Sequence, residues 1–92
     1  MMETNEATAI IVRWLAATPE YMPHLRDVYA AGGAEGMHND LKTYFQAHDR
    51  GNATVEQLVK WGMAQNAQEP TRYRTVEWVF TQIDWEYVAA HL

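Results

Sequence analysis

The 92-residue chain contains no cysteine and no serine. The first absence excludes disulfides and thiolate zinc sites. A secreted scaffold of this length would normally need such staples, so an intracellular, cytoplasmic site of action is expected. The two absences together remove the common activated nucleophiles, which argues against an enzyme. Long apolar runs are also missing: near the start, Ala9-Ile10-Ile11-Val12 is broken by Arg13, and no basic segment precedes it. Neither a secretory signal nor a membrane span is expected. Basic residues are few, seven against twelve acidic ones, for a net charge of −5. That balance opposes direct binding to a phosphate backbone, whose affinity comes mainly from Lys and Arg. The acidic side chains are scattered singly, so no DNA-like lattice of charge is evident either.

What the chain does have is apolar and aromatic bulk: 48% hydrophobic residues, four Trp, five Tyr and two Phe. This suffices for one core and excludes disorder, and the size leaves no room for a second core. Residues 1–92 therefore read as a single domain.

Helical spacing dominates. Ala7, Ile10, Ile11, Trp14 and Leu15 mark one face of a helix running roughly from 5 to 17, with Thr4 or Asn5 as its cap and Pro19 as its stop. Thr18-Pro19-Glu20 has the form of a second helix start. Pro23 delays its regular part, Leu25, Val28 and Tyr29 point inward, and Gly32-Gly33 ends it. After a short glycine-containing stretch, Met37, Leu41, Tyr44, Phe45 and His48 repeat with helical spacing, Asn39 or Asp40 being available as a late cap. Asp49-Arg50-Gly51-Asn52 forms the following turn. Thr54-Val55-Glu56-Gln57 has the form of a capping box opening a helix with Val55, Leu58, Val59 and Met63 on its apolar face, and Gly62 allows close packing. Gln65 to Thr71 is a polar linker. Val76, Val79, Phe80 and Ile83 then set the next helix; a strand over Thr75–Phe80 is the competing reading, but it would have no partner. Asp84 caps a short last helix, with Ile83 and Val88 as its hydrophobic staple. The expected fold is all-α, a compact bundle of five to six short helices.

Candidate chemistry is sparse. His24, His38, His48 and His91 show no close pairing, and His38 and His48 on one straight helix would lie about 15 Å apart along its axis, too far to share an ion. No metal and no cofactor are expected. His48-Asp49 resembles the paired ligands of HD-type phosphohydrolases, whose sites need further ligands on a longer helical scaffold; a helix-end histidine and a turn aspartate explain the pair as well. Glu77 and Asp84 would lie about 10 Å apart on a helix, and capping already accounts for Asp84. Arg72-Tyr73-Arg74 is the one local cluster of basic and aromatic residues and the leading candidate to grip an acidic partner surface or a phosphate, against the ordinary alternative of a solvated helix face. Trp61, Trp78 and Trp85 lie off the main apolar faces and join the cluster as candidate partner anchors, core burial being the preferred reading for each.

The run Ile83-Asp84-Trp85-Glu86-Tyr87-Val88-Ala89-Ala90-His91-Leu92, with Asp40-Leu41-Lys42-Thr43-Tyr44-Phe45 upstream, resembles small proteins encoded by bacteriophages and mobile elements. The resemblance is one of type and loosely covers about half of the chain. It implies the class of short, acidic, cysteine-free inhibitors of host defence, of which anti-CRISPR proteins are the best-known group. Such inhibitors commonly cover a nucleic-acid-binding surface of a defence complex, a role compatible with negative charge and exposed aromatic anchors. No binding residue is carried over from it.

The leading expectation is thus a non-catalytic protein-binding module, a phage inhibitor of a bacterial CRISPR-Cas type complex acting by steric or electrostatic block in the host cytoplasm. Two rivals remain. One is a transcriptional or antitoxin-like regulator with a helix-turn-helix around Gly51 or Gly32-Gly33; a basic recognition face is missing. The other is a small metal- or ligand-binding enzyme using His38, Asp40 and His48. A homodimer would help to cover so many tryptophans.

Overall fold

Asn5 opens the first helix by accepting a hydrogen bond from the backbone N–H of Thr8, so α1 spans Glu6–Ala17. The computed structural model of the chain describes residues 5–65 and 69–92; Thr4, the alternative cap, and part of the Gln65–Thr71 linker lie outside them. A single 3₁₀ turn, Pro19–Tyr21, follows, with Pro19 in the first-turn position where its missing N–H costs nothing. Thr18 makes no side-chain cap there.

The second helix, α2 over Met22–Ala47, contains one non-helical residue, Gly33, at φ 64° and ψ −157°. That combination is open essentially only to glycine. Its effect is large. On a straight helix His24 and Asp40 would be about 24 Å apart, yet their side chains meet at 2.9 Å. The two arms of α2 therefore fold against each other about Gly33, and a methyl group on Gly36 would come within 3.3 Å of the Val28 carbonyl oxygen. The expected stop at Gly32-Gly33 is thus realised as a reversal, without the short glycine-containing stretch that the sequence suggests. Asn39 and Asp40 consequently lie inside the second arm and cap nothing.

Helices α3 (Ala53–Ala64), α4 (Arg72–Gln82) and α5 (Trp85–Ala89) complete the fold. The strand alternative for Thr75–Phe80 is excluded, because the segment lies within α4. The cap of α3 is Asn52, whose side chain accepts from the N–H groups of Thr54 and Val55 at 2.9 and 3.3 Å. This corrects the expected Thr54–Gln57 capping box: Gly51, at φ 71°, turns the chain early enough to put Asn52 in the extended cap geometry and Thr54 inside the helix. Thr71 caps α4 through the N–H of Arg74, and Asp84 caps α5 through the N–H of Tyr87, as its spacing predicts.

One core joins all five helices: Ile11 and Leu15 from α1, Leu25, Met37, Leu41 and Phe45 from α2, Val55 and Leu58 from α3, Val79 and Phe80 from α4, and Val88 from α5 are fully buried. The radius of gyration is 12.6 Å, close to the ~12 Å expected of a globule of this length. Helix α3 packs closely on α4. A methyl group on Gly62 would lie 2.7 Å from Val79 Cγ2 and 3.1 Å from Thr75 Cγ2, so close packing at this position requires glycine. Met63, expected in the core, is 66% exposed. With Gly62 set against α4, the buried stripe of α3 runs through Val55, Leu58, Val59 and Gly62, and the next residue faces outward.

No helix among the described residues is long and apolar enough to cross a membrane.

Candidate interaction surfaces

Two places on the surface combine apolar and charged groups, and one of them is built around the residues singled out in the sequence. Arg72 leaves α4 at its first position and donates from Nε to both carboxylate oxygens of Asp49 at 3.0 Å, from a terminal nitrogen to Asp49 Oδ1 at 2.7 Å, and to Glu56 Oε1 at 2.6 Å. These hydrogen bonds hold Asp49 below the usual carboxylate range and raise Arg72 further above its ordinary value. Arg72 is therefore tied to the α2–α3 turn and to the first turn of α3 through the Nε–Nη2 edge of its guanidinium. Tyr73, 56% exposed, and Arg74 face solvent. Arg74 makes only a loose contact with Glu77, 3.5 Å away along the same helix.

Trp61 and Trp78 come together. Their rings stack at 6.0 Å and 27° across the α3–α4 crossing, each half-buried against the core. Trp85 does not join them. It is 8% exposed, stacks on His38 at 5.5 Å, and donates its indole N–H to the Phe80 carbonyl oxygen at 3.0 Å. Of the two readings of Trp85, anchor and core, the fold takes the core: α5 folds back over α2 and places the ring inside, where its one polar atom finds a backbone acceptor.

Beside these residues, Met63 forms a ridge that sequence periodicity had assigned to the interior. On one side of α3 a groove of about 510 Å³ is lined by Glu56, Val59, Lys60, Met63 and Arg72. On the other side a groove of about 400 Å³ runs between α1 and α3, past Ile10, Arg13, Lys60, Trp61 and Ala64. The flexible, polarisable methionine side chain suits a contact surface that must adapt to its partner.

The second place lies between the two arms of α2. Asp40 accepts from the Tyr21 hydroxyl at 2.9 Å and sits 2.9 Å from His24 Nε2. Burial first, and then the Asp40 carboxylate, push the Tyr21 hydroxyl far above the ordinary tyrosine range. Tyr44 packs on Tyr21 edge to face and stacks on His48, while Trp14 stands behind both tyrosines. The sequence reading missed this grouping because it requires the reversal at Gly33; the available signal was the Asp40, Tyr44, His48 spacing of four residues, which puts the three side chains on one helical stripe.

The trio His38, Asp40 and His48 is not assembled. His38 packs on Trp85 and Phe80, whereas Asp40 and His48 line the groove between the arms of α2. His48 Nδ1 lies 2.9 Å from the Tyr44 carbonyl oxygen, and Asp49 is engaged by Arg72, so the adjacent pair has no shared ligand geometry. Among the described residues no group of three or more His, Cys, Asp or Glu is arranged to hold a metal ion. Comparison with protein-family models, with curated proteins and with solved structures finds no match for the chain.

Proposed function

We propose that the chain is a non-catalytic protein-binding module whose contact surface is the outer side of α3 with the start of α4. The observation that carries this reading is Met63, a large apolar side chain two-thirds exposed on the wall of one groove, with Lys60 lining that groove and its neighbour and Trp61 lining the neighbour. Methionine and aromatic side chains are enriched at contact sites, inside a polar rim. Tyr73 and Arg74 extend the surface, and Trp61 and Trp78 support it from beneath. Arg72 shapes the surface through Asp49 and Glu56 and does not grip the partner itself.

The partner is a protein complex of a bacterial host, a CRISPR-Cas type effector, and the chain acts on it as a phage-encoded inhibitor in the host cytoplasm, by steric or electrostatic block of its nucleic-acid-binding surface. The resemblance to small phage-encoded inhibitors and the net charge of −5 support this finer reading, since an acidic module complements a surface made to hold phosphates.

The deciding experiment is capture of a purified CRISPR-Cas effector by the tagged chain, followed by a DNA-binding assay of that effector. The reading expects capture, loss of DNA binding, and loss of both with Met63→Glu or with Tyr73→Ala and Arg74→Ala combined. Capture by none of a panel of such effectors overturns the inhibitor reading, and capture unaffected by these substitutions overturns the assigned surface. Sedimentation of the chain alone tests the homodimer: a dimer broken by Met63→Glu would assign the ridge to a second copy.

A further inference from the structure

Asp40 takes no part in the surface on α3, and its environment is unusual. Its side chain is 23% exposed, and its partners are a tyrosine hydroxyl and a histidine; no Lys or Arg among the described residues pairs with it. Among the described residues, the one group beside this partly buried carboxylate that can carry a positive charge is the exposed His24, so Asp40 keeps acceptor capacity for a further cation. The groove above it, about 570 Å³, is lined by Tyr21, Tyr44 and His48, and is deepened by the small residues Gly36 and Ala47; among the described residues no Lys or Arg lines it. Tyr21 and Tyr44 meet edge to face at 5.0 Å with their planes 69° apart, and His48 stacks on Tyr44, so aromatic rings line the groove beside the carboxylate.

We propose that this groove receives an arginine side chain of a partner protein. A guanidinium is planar and weakly hydrated, so it can lie on a tyrosine face while its edge donates to a carboxylate. A carboxylate offers about four acceptor positions. Tyr21 occupies one on Oδ2 and His24 one on Oδ1, which leaves one on each oxygen for a two-pronged guanidinium. An ammonium is more strongly hydrated and has no flat face, so lysine is the poorer fit, and anionic ligands are repelled by Asp40. The inference rests on the reading of the chain as a protein-binding module and specifies the partner's chemistry: a basic side chain projecting from its surface, as nucleic-acid-binding surfaces have.

The test is an NMR titration of the full chain with acetyl-arginine amide, acetyl-lysine amide and a short neutral peptide carrying one central arginine. The expected result is saturable shifts confined to Tyr21, Tyr44, His48 and the backbone around Asp40, in the millimolar range for acetyl-arginine amide, weaker for the lysine probe and tighter for the peptide. Asp40→Asn should weaken the arginine probe about tenfold by removing the charge from the hydrogen bonds. His24→Ala, at an exposed side chain, should keep or tighten binding by freeing Oδ1. Absence of shifts, shifts spread over the acidic surface, or equal binding of the lysine probe overturns the proposal. Tighter binding of the amide than of the peptide would assign the groove to a free small cation and also overturns it. These outcomes are independent of effector capture: a groove that ignores arginine leaves the contact on α3 standing, and arginine binding without capture of any effector leaves the groove standing while the inhibitor reading falls.

Discussion

The hydroxyl of Thr8, wholly buried in α1, accepts a hydrogen bond at 2.9 Å from the backbone N–H of Asp84, 76 residues later in the chain. The same hydroxyl donates to Asn5 Oδ1 at 2.9 Å, and Asn5 Nδ2 donates to the Gln82 carbonyl oxygen at 2.6 Å. Two polar residues at the start of the first helix thereby satisfy the backbone of the α4–α5 junction, where neither helix supplies partners. Thr8→Val keeps the shape and strands the Asp84 N–H, at an expected cost of about 1–3 kcal/mol. Thr8→Ser keeps the hydroxyl and should cost about 1 kcal/mol for the lost methyl. Urea unfolding of both variants measures the difference, and a Thr8→Val protein as stable as the parent would mean that the methyl, not the hydrogen bond, carries the effect.

Gly62→Ala reverses the usual helix-propensity rule. At an open helical site the change gains up to about 1 kcal/mol, but here the new methyl meets Val79 Cγ2 at 2.7 Å. Overpacking of this kind costs about 1–3 kcal/mol. The double variant with Val79→Ala should recover part of the loss, and tryptophan fluorescence should report displacement of the Trp61–Trp78 stack in the single variant. A stabilised Gly62→Ala protein would show that the two helices can separate freely.

Removing Arg72 should loosen the turn between α2 and α3. Arg72→Ala is expected to cost about 1 kcal/mol, the surface-exposed position limiting the worth of even a two-pronged ion pair. Arg72→Lys should not restore it, because an ammonium cannot match the fork. Asp49 has a lowered folded-state value, so its contribution is present above the unfolded value near 3.9 and is lost as pH falls through the folded one. The stability difference between the parent and Arg72→Ala should therefore shrink in strongly acid solution, and a difference constant with pH would mean that Arg72 acts through packing alone.

His38 titrates in a separate window. Burial against Trp85 and Phe80, and secondarily the charge of Lys42, hold its imidazole below the ordinary histidine range, with Glu35 opposing. The neutral form is favoured in the fold. Its contribution is therefore complete above the unfolded value of about 6.5 and is lost as pH falls through that value toward the folded one. Denaturation midpoints should fall between about pH 7.5 and 5 in the parent and fall less in His38→Gln. Equal slopes would place the acid sensitivity elsewhere.

Much of the fold is legible in the residues because it is decided locally. Asn5 and Asp84 cap where their spacing puts them, Pro19 begins a turn at the one place where a missing N–H is harmless, and Val76, Val79 and Phe80 repeat with a period that only a helix can bury. Asn52 displaced the Thr54 cap because the decision lay in the backbone angle of Gly51, which the residue types around it did not reveal. Met63 is exposed where periodicity places it inward, and for Trp85 periodicity allows both an exposed anchor and a core position. Periodicity gives the direction of a side chain about its own helix, but not which neighbouring helix will cover that direction.

The sequence by itself determined the helices, their order, the single core and the absence of the thiol and hydroxyl nucleophiles of cysteine and serine, since these follow from residue type and spacing. Tertiary structure alone decided the surfaces. Gly33 reverses α2, and that reversal brings Tyr21 and His24 to Asp40; α4 docks on Gly62, and that contact sends Met63 outward; Arg72 finds Asp49 and Glu56, and that pairing removes it from the free cations. Each depends on contacts between residues far apart in the chain, whose energies are set by the mutual placement of helices and not by the preferences of any one of them.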